Sequence, residues 1–204
     1  MHKCRLPVVL FFGLPHSGKS TLVSHLATAK KFSAIDFGSH LRALIASKSS
    51  VPYLEEVKNA VQAGRLVPDD VSRSIISDYV RDEFHFGLAI DGFPRKLSTL
   101  AHFYEFLTEQ EIDNDCVLAC ECHISSADSR THSVLRGRKD DVDLQILDAR
   151  ISVFQKETSP TILALRQKHH YLRLDFKNGL QNNILSLETT LNDLFHTKDT
   201  FSNK

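Results

Sequence analysis

The sequence has no excess of charge of either sign and no apolar run long enough to cross a membrane. Its 25 lysine and arginine residues are balanced by 25 aspartate and glutamate residues, so no overall positive field attracts nucleic acid or an anionic membrane surface. The apolar run Val8–Phe12 is too short to span a bilayer and leads into a glycine loop, not into a small-residue cleavage site. These absences favour a cytoplasmic protein without nucleic-acid or membrane partners, which binds any anion in a local site.

Cysteine is scarce as well, with four in 204 residues, too few for a disulfide scaffold at this length. Cys116, Cys120 and Cys122 share parity on a predicted strand and His123 follows, so a metal cluster is one alternative. The spacing lacks the paired C-x-x-C form of structural zinc sites. We therefore expect reduced, buried thiols that pack as small apolar residues.

Short apolar strands alternate with amphipathic helical patterns, without internal repeats or low-complexity segments. This alternation predicts an α/β fold, a parallel sheet wrapped by helices. Strands are predicted at 8–12, 33–37, 88–91, 117–122 and 171–174. Helices are predicted at 20–29, 39–47, 53–63, 69–84, 98–109, 126–135, 143–168 and 183–195.

A phosphate-binding loop follows the first predicted strand. Residues 13–20 read G-L-P-H-S-G-K-S, which satisfies G-x-x-x-x-G-K-[ST] between a strand and a helix. Backbone N–H groups and the helix N-terminus can surround nucleotide phosphates, Lys19 can reach their outer oxygens, and the Ser20 hydroxyl can meet Mg²⁺. GTPases, ATPases and small-molecule kinases all carry such a loop, so it leaves the second substrate open. The residues predicted to bind the phosphoryl donor are Gly13, Pro15, His16, Ser17, Gly18, Lys19, Ser20 and Thr21.

Three further segments resemble those of adenylate kinases and related nucleoside monophosphate kinases. Residues 91–95, D-G-F-P-R, match a signature of that family. Residues 38–42, G-S-H-L-R, resemble its G-D-L-L-R segment without the aspartate, and residues 63–69, A-G-R-L-V-P-D, are similar to its G-x-L-V-x-D segment. The resemblance covers about residues 8–175 and identifies the acceptor as a nucleoside monophosphate.

The resemblance also implies how the chain is organised. We expect a P-loop NTPase fold with a five-stranded parallel sheet, in a single nucleoside monophosphate kinase domain at 1–196 followed by a loose tail at 197–204. A monophosphate-binding insert is expected at about 38–71, and a short lid that closes over both nucleotides at about 136–143. Within the lid, Asp140 and Asp141 either orient the arginines or are simply exposed charges.

The family's functional residues can be assigned to positions in this sequence. By resemblance, Arg42 and Arg95 clamp the acceptor phosphate, which a guanidinium contacts in bidentate fashion. Asp91 is expected near Mg²⁺ together with Ser20, and Arg136 near ATP. The residues expected to be catalytic are Lys19, Arg95, Arg138 and Arg150. The residues expected around the monophosphate are Phe37, Gly38, Arg42, Gly64, Leu66, Val67, Asp91, Gly92, Arg95, Thr99, Arg138 and Arg150.

The function implied is that of a monomeric, ATP- and Mg²⁺-dependent kinase, with ATP + AMP to 2 ADP as the favoured reaction. Departures from the family at His16, Ser39 and His40 leave a catalytically weakened nucleotide-binding or regulatory homologue as an alternative. A UMP/CMP kinase is a second alternative. A P-loop kinase for a non-nucleotide metabolite is a third, and D-G-F-P-R counts against it. At His16, where the family usually has glycine, we expect the loop to tolerate the side chain.

We predict weaker base selectivity than in the adenylate kinases that the sequence resembles. Those enzymes place a threonine just before the glycine of G-D-L-L-R and a glutamine four residues after D-G-F-P-R, where this sequence has Phe37 and Thr99. A lost base-edge hydrogen bond costs roughly 1 to 3 kcal/mol, or about 5- to 150-fold in selectivity. AMP should be accepted with reduced preference over CMP, UMP or dAMP, and Thr99→Gln should shift kcat/KM toward AMP. A preference for AMP of about a thousandfold in the wild-type chain would contradict this prediction.

Overall fold

The computed structural model describes residues 6–47, 50–79, 84, 86–136 and 143–195, and only the backbone of residues 133–136. The predicted tail at 197–204 and most of the predicted lid, with Arg138, Asp140 and Asp141, lie outside these residues.

The sheet has five strands, all parallel, in the order β2-β3-β1-β4-β5. The predicted α/β fold with a five-stranded parallel sheet is thereby confirmed. Both faces of the central strands are covered, which is why β1 is an uninterrupted apolar run. The strands are β1 (Val8–Phe12), β2 (Ser33–Asp36), β3 (Leu88–Asp91), β4 (Val117–His123) and β5 (His170–Asp175).

Nine α-helices lie in the described part of the chain. Among these residues, no helix combines the length and the apolar character needed to cross a membrane. The helices are α1 (Lys19–Ala29), α2 (Phe37–Ala46), α3 (Leu54–Gln62), α4 (Asp69–Tyr79), α5 (Leu100–Glu109), α6 (Ser126–Arg136), α7 (Leu144–Val153), α8 (Ser159–Arg166) and α9 (Leu180–Phe195).

Two predicted elements differ from the structure for identifiable reasons. The strand expected at 33–37 ends at Asp36, because the Asp36 side chain accepts a hydrogen bond from the Ser39 backbone N–H and starts α2 at Phe37. The single helix expected at 143–168 is divided by a π-helical turn, Phe154–Thr158. Pro160 explains this break, since it has no N–H donor and its ring crowds the carbonyl one turn earlier.

Alternate residues of β1 face opposite sides of the sheet and join two different cores. Val8, Leu10 and Phe12 pack with apolar side chains of α3, α4, α5 and α8. Val9 and Phe11 pack with side chains of α1 and α9. Because packed helices cover both faces of the sheet, a ligand can reach it at the edge formed by the carboxyl ends of the strands.

The cysteines near β4 are buried, as expected, but one of them is not reduced. Cys120 and Cys122 are free thiols, and a hydrogen bond between them, together with burial, raises the pKa of Cys120. Cys116 takes part in a disulfide, so the expectation of reduced thiols is wrong there. Sequence spacing could not reveal this, because a disulfide depends on which cysteines approach in space.

The carboxyl ends of β1, β2 and β3 place their following loops along one edge of the sheet. β1 lies between β3 and β4, so the chain builds the sheet outward from β1 in both directions. Ligands of open parallel sheets bind in the crevice at such a point of reversal. The phosphate-binding loop follows β1 directly and therefore lies at this crevice.

Candidate active site

The loop after β1 is held in its shape by glycines and by contacts that no other residue type would permit. Gly13 has φ 153°, and a Cβ on it would lie 2.3 Å from the Cys122 carbonyl oxygen. Gly18 has φ 89° and directly precedes α1. His16 also takes a left-handed conformation, with φ 66°, so the loop accommodates this histidine in backbone that glycine adopts more readily. The Ser129 hydroxyl, on α6, donates to the Pro15 carbonyl oxygen at 2.8 Å and fastens the loop from the other side.

Lys19, the first residue of α1, folds back across the loop. Its Nζ donates to the carbonyl oxygens of Gly13 at 2.9 Å and Leu14 at 3.0 Å, and lies 3.4 Å from Ser17 Oγ. A lysine cation beside the N-terminus of a helix gives this loop the chemistry of a phosphate-binding site.

Two carboxylates stand beside the loop because β2 and β3 are paired in parallel register. Asp36 and Asp91, the last residues of these strands, are register partners. The Ser20 hydroxyl lies 3.5 Å from Asp91 Oδ2. Burial raises the pKa of Asp91, the charge of Asp36 adds to this effect, and the charges of Lys19 and Arg95 oppose it.

Four arginines line the cleft beside the phosphate-binding loop: Arg42, Arg65, Arg95 and Arg150. We call this space, of about 210 Å³ and also lined by Gly13, Lys19 and Asp91, the central cleft. Burial lowers the pKa of Arg95, the nearby charge of Arg150 lowers it further, and Asp91 opposes the shift. Guanidinium groups that crowd together in this way form a site for a highly charged anion.

Two of the arginines, Arg42 and Arg95, are held by hydrogen bonds to neighbouring residues. Arg42 Nη2 donates to Ser39 Oγ at 2.9 Å, and Ser39 Oγ donates to Asp36 Oδ2 at 2.7 Å, so the arginine is tied to the end of β2. The buried Thr158 hydroxyl, in the π-helical turn, donates to the Arg95 carbonyl oxygen at 3.2 Å. These contacts reduce the entropy lost when the arginines engage an anion.

Gly64 brings the insert against the helix that carries Arg150. Its φ is 64°, and a Cβ built on it would lie 2.7 Å from the Ile146 carbonyl oxygen and 3.3 Å from Arg150 Cγ. Only a residue without a side chain allows α7 to approach this closely. The expected monophosphate residue Gly64 thus also determines where Arg150 stands.

Two further cavities adjoin the central cleft. The inner pocket, of about 90 Å³, shares Gly38, Arg65 and Arg95 with the cleft. It is also lined by Phe37 and Phe93, whose stacked rings have centroids 5.1 Å apart. The outer cavity, of about 770 Å³, lies on the other side of the phosphate-binding loop. It is lined by His16, Ser17, Gly18, Lys19, Ser20, Thr21, Leu22, Asp128, His132, Phe176, Lys177, Gly179, Leu180 and Asn183.

Most of the predicted site residues lie on one of these three cavities, and a few do not. Arg138 lies outside the described residues, and of Arg136 only the backbone, at the end of α6, is described. Thr99 lines the inner pocket, but its hydroxyl donates to the Lys96 carbonyl oxygen at 2.8 Å and accepts from the Lys96 N–H at 3.3 Å. The residues found on the cavities are Gly13, Pro15, His16, Ser17, Gly18, Lys19, Ser20, Thr21, Phe37, Gly38, Arg42, Gly64, Leu66, Val67, Asp91, Gly92, Arg95, Thr99 and Arg150.

Sequence reasoning missed residues that reach the cavities from outside the recognised motifs. Arg65 lines the central cleft and directly follows Gly64. Its place inside the segment at residues 63–69 is the one feature of the sequence that could have identified it. His132 and Phe176, whose ring centroids are 4.9 Å apart, lie far apart in the chain and meet at the outer cavity. No local pattern could have identified that pair.

Comparisons with known proteins agree with this geometry. The family model for adenylate kinase matches residues 11–170, from the end of β1 to the first residue of β5. The adenylate kinase of Synechococcus sp. (strain JA-2-3B'a(2-13)) is 31% identical over 159 residues, covering 77% of this chain and 81% of that protein. The adenylate kinase of Mycobacterium ulcerans is 30% identical over 155 residues, covering 76% and 83%. That of Rickettsia bellii is 26% identical over 196 residues, covering 82% and 91%.

The contact at Gly64 predicts a stability difference between two glycine substitutions. Gly64→Ala would place a methyl group 2.7 Å from a backbone oxygen, whereas Gly179, with φ 79°, has no atom within 4 Å of the same position. Gly179→Ala should therefore lose only the backbone contribution, about 1 to 3 kcal/mol, because φ 79° with ψ 157° is a conformation that residues with a side chain resist. Gly64→Ala should lose about 1 to 3 kcal/mol more from overpacking. Urea unfolding of both variants measures the difference. Equal losses of unfolding free energy would show that α7 does not rest on Gly64.

Proposed function

The chain belongs to the adenylate kinase family, and from this premise we propose how its cavities divide the work of an ATP-dependent nucleoside monophosphate kinase. The reaction is ATP + AMP to 2 ADP. The observation that carries the proposal is the position of the phosphate-binding loop, which lines the outer cavity on one side and the central cleft on the other. We place ATP in the outer cavity, with its phosphates on the loop. We place AMP in the inner pocket, with its phosphate in the central cleft.

The acceptor side is supported by the continuity of the inner pocket with the arginines of the central cleft. Arg42 and Arg95 line that cleft, and Arg95 lines both spaces. A monophosphate whose phosphate meets these guanidinium groups has its base between Phe37 and Leu66, where the walls are largely apolar and aromatic.

The transfer itself needs no side-chain base, because a phosphate monoester is already largely anionic near neutral pH. An oxygen of the AMP phosphate attacks the γ-phosphorus of ATP. The bond from that phosphorus to the β,γ-bridging oxygen breaks, the electron pair stays on the β-phosphate, and two ADP molecules result. What the protein supplies is position and positive charge, through Lys19 and the arginines.

Family membership implies ATP and Mg²⁺, and we propose that Ser20 and Asp91 hold the metal ion. Both offer oxygen ligands, which Mg²⁺ prefers, and few carboxylates suffice when substrate phosphates complete the shell. Burial raises the pKa of Asp91 and the charge of Asp36 adds to the shift. A divalent cation beside these carboxylates would favour the charged form of Asp91, so the residues fit the ion. When bound, Mg²⁺ neutralises charge on the transferring phosphates.

The remaining features of the proposal concern the whole chain. We propose one domain at 1–196, with the monophosphate insert at about 38–71, a lid at about 136–143 that brings Arg138 over the site, and a loose tail at 197–204. We also propose a monomer that works in the cytoplasm and binds nucleotides but not nucleic acid. The free thiols of Cys120 and Cys122 support that location, and the disulfide at Cys116 opposes it. Subcellular fractionation tests the location.

The alternatives raised by the sequence have less support. A homologue without turnover would not need the lysine and arginines that converge on the central cleft. The relatives described above are adenylate kinases, which does not favour a pyrimidine kinase. A coupled assay for ADP formation from ATP and AMP tests the proposal, and binding of both nucleotides without turnover would overturn it.

Lys19→Met should abolish transfer without unfolding the protein. The substitution removes the cation that bridges the Gly13 and Leu14 carbonyl oxygens and faces both cavities. We expect kcat to fall by at least about 100-fold, with a melting temperature close to that of wild type because water can solvate the two carbonyl groups. Lys58→Met, at a surface lysine paired with Glu55, is the matched control and should keep wild-type kcat. Wild-type turnover in Lys19→Met would remove this lysine from the mechanism.

Arg95 and Arg150 should differ in what their removal affects. Arg95→Ala should raise KM for AMP far more than it weakens ATP binding, because Arg95 lines both acceptor spaces. Arg150→Ala should mainly lower kcat, because the charge of Arg150 stabilises the transition state. The expected rise in activation free energy is roughly 2 to 4 kcal/mol. Steady-state kinetics and direct titration of each nucleotide separate the effects. Arg73→Ala, at an exposed pair with Glu105, is the control. A change in ATP affinity alone for Arg95→Ala would show that it serves the other substrate.

A further inference from the structure

The far end of the inner pocket carries a cation that no recognised motif assigns. Lys96 follows the last residue of D-G-F-P-R and lines the inner pocket but not the central cleft. The lining residues shared by the two spaces include Gly38 and Arg95, on the phosphate side. Lys96 therefore lines the part of the inner pocket that is not shared with the central cleft, where the proposed function places the base.

Lys96 is held in place by contacts on both sides of the pocket. Its Nζ donates to Asp69 Oδ1 at 2.6 Å and to the Val67 carbonyl oxygen at 3.3 Å, both in the segment that enters α4. Its backbone N–H and carbonyl are bonded by the buried side chain of Thr99. Burial alone would raise the pKa of Asp69, but hydrogen bonds from Lys96 and Ser98 outweigh it and lower that pKa. The ion pair with Asp69 therefore holds the ammonium group of Lys96 beside the pocket.

The ammonium group has a hydrogen-bond donor left to offer. It carries three N–H donors and no acceptor. Two are used by Asp69 and Val67, and within the described part of the chain no acceptor takes the third. The Thr99 hydroxyl, in contrast, is used in bonding the Lys96 backbone, so it is a positioning group and not a reader of the base.

A base bound in this pocket presents its far edge to Lys96. A purine is attached to ribose at N9, so the edge farthest from the phosphate carries N1 and the substituent at C6. An ammonium group that faces C6 pairs with a keto oxygen there, whereas the amino group of adenine at the same place donates and leaves only N1 on that edge as an acceptor. Lysine matches the O6 and N7 acceptors of guanine for the same reason, while glutamine matches the N6 and N7 pattern of adenine.

We propose that Lys96 is a specificity-determining residue that extends the acceptor range from AMP to monophosphates with a keto base, IMP and GMP among the purines. This inference rests on the proposed function. It assigns recognition of the base to Lys96, because the Thr99 hydroxyl is already bonded to the Lys96 backbone. AMP remains a substrate, but its advantage over a 6-keto purine is reduced by the donor at the end of the pocket.

The test compares AMP with IMP, which differ only at C6 and in the proton on N1. With saturating MgATP, kcat/KM is measured for both on the wild-type chain, Lys96→Met and Asp69→Asn. We expect wild type to use IMP within about 100-fold of AMP. Lys96→Met should lower the IMP/AMP ratio by at least about fivefold. Asp69→Asn keeps the ammonium group and should not lower the ratio. UMP and CMP give a second matched pair, since they differ in the same way at C4.

The ratio separates recognition from a purely structural role, because a distorted pocket would impair both purines alike. A wild-type chain that rejects IMP by more than about a thousandfold would overturn the inference, even if Lys96→Met fails to fold. So would an unchanged ratio in Lys96→Met, or an equal fall of the ratio in Asp69→Asn. Lys58→Met, outside all three cavities, should leave the ratio as in wild type. Absence of turnover with every monophosphate would instead contradict the proposed function.

Discussion

In a parallel sheet the carboxyl ends of all strands lie along one edge, and the site depends on that constraint. It puts the loop after β1 next to Asp36 and Asp91, which end their strands at the same register level. Because the helices cover both faces of the sheet, the strand ends are the place where backbone and side chains can converge on a ligand without disturbing the core. The arginines of the central cleft come from the segments that follow β2 and β3 and from α7, and all point to this edge.

Convergence has an electrostatic consequence. Burial favours the neutral forms of both Asp91 and Arg95, and each of these two charges opposes that shift in the other. Their like-charged neighbours add to the effect of burial: Asp36 raises the pKa of Asp91 further, and Arg150 lowers the pKa of Arg95 further. The cleft therefore brings together like charges of both signs, and a polyanion accompanied by a divalent cation would relieve both repulsions.

Local signals in the sequence were sufficient for much of this arrangement. The bounds of β1 and β3 were predicted to the residue, because uninterrupted apolar runs flanked by glycine are unambiguous. The phosphate-binding loop was predictable because its motif is contiguous. The Asp36 cap, which shortens β2, could not be predicted, since an aspartate at that point fits a strand end and a helix start equally well. Lys96 could not be predicted for a different reason. Its position depends on contacts with Asp69, Val67 and Thr99, and Asp69 and Val67 approach it only in the folded chain.

The π-helical turn at Phe154–Thr158 sets the rotational phase between two helices that the sequence shows as one. Leu147 and Leu165 are separated by five full α-helical turns and would share a face in an unbroken helix. In the structure Leu147 belongs to a small cluster beneath the phosphate-binding loop, whereas Leu165 belongs to the main core. The wider turn rotates the second helix relative to the first. One continuous helical region can therefore contribute side chains to both hydrophobic clusters. The wider turn takes up about one residue more than an α-helical turn does, so a chain one residue shorter here would close into a continuous α-helix and still present Leu147 and Leu165 to their separate clusters.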